Sequence, residues 1–129
     1  MIDFDISMKK LRSVNGYLGS AVLNYSGETL YLDNDNTGTD IAYSASIFND
    51  AYRMVSESSL DVGFSEASSL EAKTLDGHVF LINSAGEFSS DNNTKINVFA
   101  IFRDDGNVAL AKMIMDKASK GMSIELGKI

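Results

Sequence analysis

The sequence predicts an α/β fold of the α+β kind, with a five-stranded sheet held between layers of helix. Three observations predict it. Apolar spacing switches between helical and alternating periods, giving the order α-β-β-α-β-β-β-α. Two runs, HVFLIN (78–83) and INVFAIFR (96–103), are almost continuously apolar, as strands covered on both faces are. A long helical stretch, 39–58, is apolar over an arc of roughly 200°, about twice what docking on one sheet needs. That surplus has two explanations: a wide core-facing helix within one chain, or a protein–protein contact.

The first helix is expected over 4–14. Phe4, Met8 and Leu11 share one face, Lys9, Lys10 and Arg12 lie away from it, and Asn15-Gly16 ends it. Residues 17–25 and 28–33 read as strands joined by a two-residue Ser26-Gly27 turn. Gly19, inside the first strand, marks a bulge or a close backbone approach. Thr39 or Asp40 caps the long helix. Its first stripe, Ile41, Ala45, Phe48, Tyr52 and Val55, is expected to meet the sheet. Its second stripe, Tyr43, Ile47, Ala51 and Met54, needs another partner. Ser46, Asn49, Asp50, Arg53 and Glu57 form a narrow polar arc, with small Ala42 and Ser56.

Beyond a connector at 58–65, SLEAKT (69–74) reads as a third strand that can begin as early as Phe64. Asp76-Gly77 signals a hairpin into the fourth strand, 78–83. Residues 84–95 form a polar loop, and 96–103 the fifth strand. Asp104-Asp105-Gly106-Asn107 turns into a last helix, 107–120, with carboxylates suited to the helix cap and dipole. Its stripe is Val108, Ala111, Met115 and Ala118, with Leu110 and Ile114 beside it; Met113 falls outside and is expected to be exposed. Gly121 is expected to stop the helix, leaving 122–129 as a loosely held tail or a short extra strand. The 129 residues are expected to form one domain.

Composition excludes several functions. The net charge is -7 and the eleven basic residues are scattered, which disfavours a phosphate-binding surface and hence nucleic acid. The Lys9, Lys10, Arg12 cluster reads as a solvated helix face. Without cysteine there is neither disulfide nor thiolate chemistry. No apolar run approaches the ~20 residues that span a bilayer. The acidic start, Met1-Ile2-Asp3-Phe4-Asp5, does not read as a signal peptide, so a cytoplasmic location without membrane insertion is expected. Proline is absent, and the turns rest on Gly, Asn, Asp and Ser.

Candidate sites are few. Asp33-Asn34-Asp35-Asn36-Thr37-Gly38 begins like a calcium loop, with oxygen donors at positions one, three and five and glycine at six. The acid of position twelve is missing, since Ser44 stands there, and Ile41 occupies position nine. A polar loop leading into a helix cap is the expectation. His78 is the sole histidine and has neither a cysteine nor a second histidine to share a metal with. It reads as a strand-end residue. Neither a G-x-S-x-G elbow nor a phosphate-binding glycine loop occurs. No catalytic residue, metal or cofactor is therefore expected.

Four segments together resemble the roadblock/dynein light chain family. GYLGSAVLNYSGETLYLDN (16–34) is similar to the family's opening hairpin, with Asn24-Tyr25-Ser26-Gly27 standing where D-x-x-G is typical. IAYSASIFNDAYRMV (41–55) resembles its alanine-rich long helix. SLEAKTLDGHVFLIN (69–83) resembles its edge strand and hairpin. VFAIFRDDGNVALAK (98–112) resembles its last strand turning into a helix that carries N-x-x-L. Element order contributes more to the likeness than residue identity does.

The resemblance implies a three-layer α-β-α fold with an antiparallel sheet. It implies a dimer formed through Tyr43, Ile47, Ala51 and Met54 of the long helix and through the edge strand Ser69, Leu70, Glu71, Ala72, Lys73 and Thr74. It implies a non-enzymatic scaffold or regulator that binds a Ras-like small GTPase or joins a motor or signalling complex. The alternative is a small-molecule sensor of profilin-like or PAS-like fold, its pocket lined by Tyr52, Phe80, Ile82, Phe99 and Ile101.

Overall fold

The computed structural model describes residues 2–34, 38–89, 91 and 93–128. The chain runs α1 (Phe4–Arg12), β1 (Tyr17–Asn24), β2 (Thr29–Asp33), α2 (Ile41–Asp61), β3 (Ser69–Lys73), β4 (His78–Ala85), β5 (Ile96–Arg103) and α3 (Val108–Gly127). All strand pairs are antiparallel, in the order β2-β1-β5-β4-β3. The order of elements is the one the sequence predicts.

Capping side chains start the helices. Asp3, Asp40 and Asn107 each accept a hydrogen bond from the N–H three residues on, at 3.1, 3.1 and 3.2 Å. Each satisfies an N–H that the first helical turn leaves free. Asp104 and Asp105 are not the cap of α3, for Asp105 instead pairs with Arg103 at 3.1 Å.

β5 occupies the centre of the sheet, and this explains its unbroken apolar run. Ile96, Val98, Ala100 and Phe102 face α1 and α3, where they pack with Met8, Leu11, Ala111 and Met115. Phe99 and Ile101 face α2 and pack with Ile41, Ala45 and Tyr52. Two cores thus share one strand, and only Arg103 at its end reaches solvent.

Three local expectations need correction. The β1–β2 connection is a four-residue loop, 25–28, instead of a two-residue turn. Asn24 Oδ1 accepts from the N–H groups of Ser26 and Glu28, both at 3.0 Å, and this side-chain bonding replaces the tight turn. β4 continues two residues past the predicted end, to Ala85, because Ala85 pairs with Ile96. α3 does not stop at Gly121 but runs to Gly127. Met122 is 1% exposed, and Ser123 Oγ donates to the Thr94 carbonyl at 2.7 Å. Burial of that last turn outweighs the ~1 kcal/mol that an interior helical glycine costs. Residues 122–127 are therefore part of the packed helix, not a loose tail. Of the calcium-like loop, residues 35–37 lie outside the described residues.

Gly19 shows both features the sequence associates with a strand glycine. The β1–β5 register shifts between Tyr17 and Gly19, and a Cβ at Gly19 would lie 2.7 Å from Ile41 Cδ1. The start of α2 can pack there only against bare backbone.

Tyr17 is buried beside this bulge. Its hydroxyl donates to Asp33 Oδ2 at 2.5 Å and lies 2.7 Å from Ser20 Oγ. Burial, and then the Asp33 carboxylate, push its pKa well above the ordinary tyrosine value. The fold therefore holds the neutral phenol, while the unfolded chain loses that proton near pH 10. Above pH 10 the unfolded state binds fewer protons, and stability falls by up to about 1.4 kcal/mol per pH unit. The stability difference between the unsubstituted chain and Tyr17→Phe should be flat below pH 9 and fall above about pH 10. A flat difference to pH 11 in urea titrations would refute this role for Tyr17.

Candidate functional site: an apolar seam on α2 beside the β3 edge

The rotation of α2 decides which side chains are left outside. Its sheet-facing residues are Ile41, Ala45, Asn49, Tyr52 and Ser56, all buried. Phe48 of the expected stripe also meets the sheet, half-buried against Phe80 and Phe99, whereas Val55 does not, and Asn49 and Ser56, expected on the polar arc, take inward positions. Polar side chains turn inward here because each finds a partner. Asn49 Oδ1 accepts from Asn97 Nδ2 of β5 at 2.8 Å, and Ser56 Oγ accepts from the Ala67 N–H at 3.1 Å. Tyr52 OH donates to the Ala67 carbonyl at 2.6 Å. A buried polar group so bonded avoids the penalty that an unpaired one incurs.

Lys95 closes this end of the helix. Its ammonium lies 3.1 Å from Glu66 and 3.3 Å from Tyr52 OH. Burial works to lower its pKa, but the bonds to Glu66 and Tyr52 outweigh that and hold it above the ordinary lysine value.

This rotation leaves Tyr43 65%, Ile47 46%, Met54 67% and Val55 42% exposed, with Ala51 half-buried among them. Leu60, inside α2, borders a different groove with Tyr25 and Phe88, while exposed Val62 and Phe64 extend the apolar surface past the helix. The sequence reading missed this extension. Its signal was Val62 and Phe64 within the 58–65 connector.

Beside the strip lies a groove of about 240 Å³, bounded by Leu18, Tyr43, Ile47, Phe48, His78 and Phe80, among others. Phe48 and Phe80 stack at 4.2 Å to form its floor. Tyr52, Ile82, Phe99 and Ile101, put forward for a ligand pocket, are packed into the α2-side core, at most 4% exposed. They do not enclose one pocket: Ile101 borders the Phe80 groove, whereas Tyr52 borders a separate one with Tyr25 and Phe88.

β3 is the sheet edge next to this groove. Leu70 and Ala72 pair with Ile82 and Phe80, so they share the α2 face. Ser69, Glu71 and Lys73 point to the other face, where Glu71 meets Lys112 of α3 in an ion pair. Thr74 lies one residue beyond β3, in the turn. Its hydroxyl bonds to Asp76 and accepts from the His78 N–H at 3.0 Å. His78 Nδ1 also lies 3.1 Å from Asp76. Among the described residues no group of three metal-ligating side chains occurs, and no helix is long and apolar enough to cross a membrane.

No family model matches the sequence, and no curated protein matches it. Solved structures do match the fold. Myxococcus xanthus MglB aligns over 100% of this chain and 98% of its own, with a TM-score of 0.78 and 10% identity. A Roadblock/LC7 domain from Streptomyces avermitilis aligns over 97% of this chain and 98% of its own, at a TM-score of 0.76 and 15% identity. The chain has the roadblock fold. An MglB in a tetrameric arrangement is similar as well, covering 97% of this chain and 88% of its own at a TM-score of 0.77 and 8% identity. At such identities the roadblock likeness lies in architecture: three layers, one antiparallel sheet and the same near-complete span.

Proposed function

We propose that this roadblock-fold chain is a non-enzymatic dimeric adaptor that binds and positions a Ras-like small GTPase. The observation that carries the reading is the exposed apolar face of α2, continuous with the Phe80 groove and bordered by the β3 edge. A two-fold axis beside that face sets α2 against α2 and β3 against β3, joining two five-stranded sheets into one. Self-pairing centred on Ala72 places Glu71 of each protomer opposite Lys73 of the other, a favourable cross-strand pair. It also covers a backbone edge that would otherwise invite unwanted pairing. Tyr43, Ile47, Ala51 and Met54 form the helical half of this seam. Ser69, Leu70, Glu71, Ala72 and Lys73 form the strand half, and Thr74 orders the turn that follows.

The resemblance in sequence and the fold likeness to MglB support a GTPase as the partner. The adaptor's contribution is a rigid surface for the GTPase switch loops, without a donated catalytic group. The test is anisotropy of the source organism's Ras-like GTPases loaded with fluorescent GDP or a non-hydrolysable GTP analogue. We expect one nucleotide state to bind at least about tenfold more tightly, a difference of about 1.4 kcal/mol. Absence of binding to all of them in both states would overturn the GTPase assignment and leave the dimer to be judged by its mass.

A further inference from the structure

The face of the sheet away from α2 carries a second apolar surface. A groove of about 850 Å³ runs between α1 and α3, lined chiefly by Ile6, Lys10, Leu110, Met113, Ile114 and Lys117. Ile6 is 70% exposed and Met113 68%. On α3 the outward positions Leu110, Ile114, Lys117, Gly121 and Ile124 follow one another at spacings of four and three. That is the spacing of a helix that packs along another helix. The inner face of α3 carries its own series, Ala111, Met115, Ser119 and Met122, and this one meets the sheet side. α3 therefore has two seams, and this chain fills one.

Gly121 identifies the outer seam as a contact surface. It lies in the interior of α3, where glycine is a poor helix former. A Cβ there would meet no atom within 4 Å. Packing within the chain does not call for glycine, whereas the close approach of another backbone does.

Charge selects the occupant. Lys10 and Lys117 have no carboxylate within 4.0 Å among the described residues, although the chain carries a net charge of -7. Asp116, at the same groove, is taken up by Lys120 at 2.9 Å. A second copy docked face to face would bring lysine rims together. A segment with carboxylates flanking an apolar stripe pairs with both rims while its stripe fills the floor. We propose that the α1–α3 groove receives an acidic amphipathic helix from a partner protein. The proposal is independent of the α2 dimer, which lies on the opposite face.

The test uses the full chain and two fluorescein-labelled peptides of about 18 residues, roughly five turns. One carries leucines at i, i+3, i+4 and i+7 flanked by glutamates; its twin carries lysines for the glutamates. Anisotropy should show the acidic peptide binding at least about tenfold more tightly than the twin. Met113→Glu should abolish acidic-peptide binding, and the Lys10→Glu, Lys117→Glu pair should reverse the preference. Gly121→Ala should raise Tm and yet weaken the peptide, since the added methyl fits the free chain and fills the groove. Far-ultraviolet circular dichroism confirms that these surface variants fold. Ile47→Glu, which disrupts only the α2 seam, should bind the acidic peptide unchanged. Absence of acidic-peptide binding, equal binding of the twin, or indifference to Met113→Glu would overturn the proposal. Preferential binding to phosphatidylglycerol vesicles would do so too, by assigning the surface to a membrane.

Discussion

Ile47→Glu and Met54→Glu should each give a particle of one chain mass, 14.0 kDa, where the proposed dimer of the unsubstituted protein should scatter as about twice that. The expectation follows from where these side chains sit. Both are on the outer face of α2 and exposed in a single chain, so a carboxylate there leaves the protomer's own core intact. Surface changes of this kind alter folding stability by about 0.5 kcal/mol or less. In the proposed dimer the same carboxylate would be buried against apolar surface without a partner. Central interface positions cost about 2 kcal/mol or more when disrupted. A two-fold axis counts each change twice, so the loss reaches about 4 kcal/mol, roughly a thousandfold in dissociation constant. Arg53→Glu, off the apolar stripe, is the matched control and should leave the mass unchanged. An unsubstituted protein that scatters as a monomer at tens of micromolar, or glutamate variants that remain dimeric, would remove the α2 seam from the proposed function.

Phe99→Ala should cost about 3–5 kcal/mol in urea unfolding, a large share of the ~5–15 kcal/mol that holds a typical domain together. Phe99 is fully buried at the centre of the sheet, between Ala21 of β1 and Ile82 of β4. Its ring stacks 5.8 Å from Phe48 and 6.4 Å from Phe80. Truncation removes the support beneath both rings, which form the floor of the seam groove. Stability and self-association should therefore fall together, and the denaturant slope should stay the same if the unfolded state does. Leu75→Ala, fully exposed in the β3–β4 turn, should change neither by more than about 0.5 kcal/mol. A loss below about 1 kcal/mol for Phe99→Ala would contradict the packing described for the α2-side core.

Much of this molecule was legible in one dimension. Period and composition identify the elements in order, because alternation and three-to-four spacing are local properties of a sequence. The continuous apolar run of β5 announces a strand covered on both faces, and the two cores meet on it. The surplus on α2 announces more apolar surface than one sheet covers. Tyr43, Ile47 and Met54 are exposed in the fold, as that surplus requires.

Tertiary structure decided the rest, and the reason is polar pairing at a distance. Asn49 and Ser56 count as solvent-facing by residue type, yet partners 48 and 11 residues away in sequence draw them inside. The centre of the buried stripe of α2 is thereby turned by roughly 40°, with Ile41, Ala45 and Tyr52 kept inside, and Val55 moves outward. Gly121 reads locally as a helix stop, but the burial of Met122 and the Ser123–Thr94 hydrogen bond carry α3 onward for nearly two more turns, to Gly127. The sequence by itself determined which elements exist and how much apolar surface each carries, for those follow from local spacing. Which atoms of that surface stay outside was decided in three dimensions, because a hydrogen bond between residues far apart in the chain sets the angle at which a helix lies on its sheet.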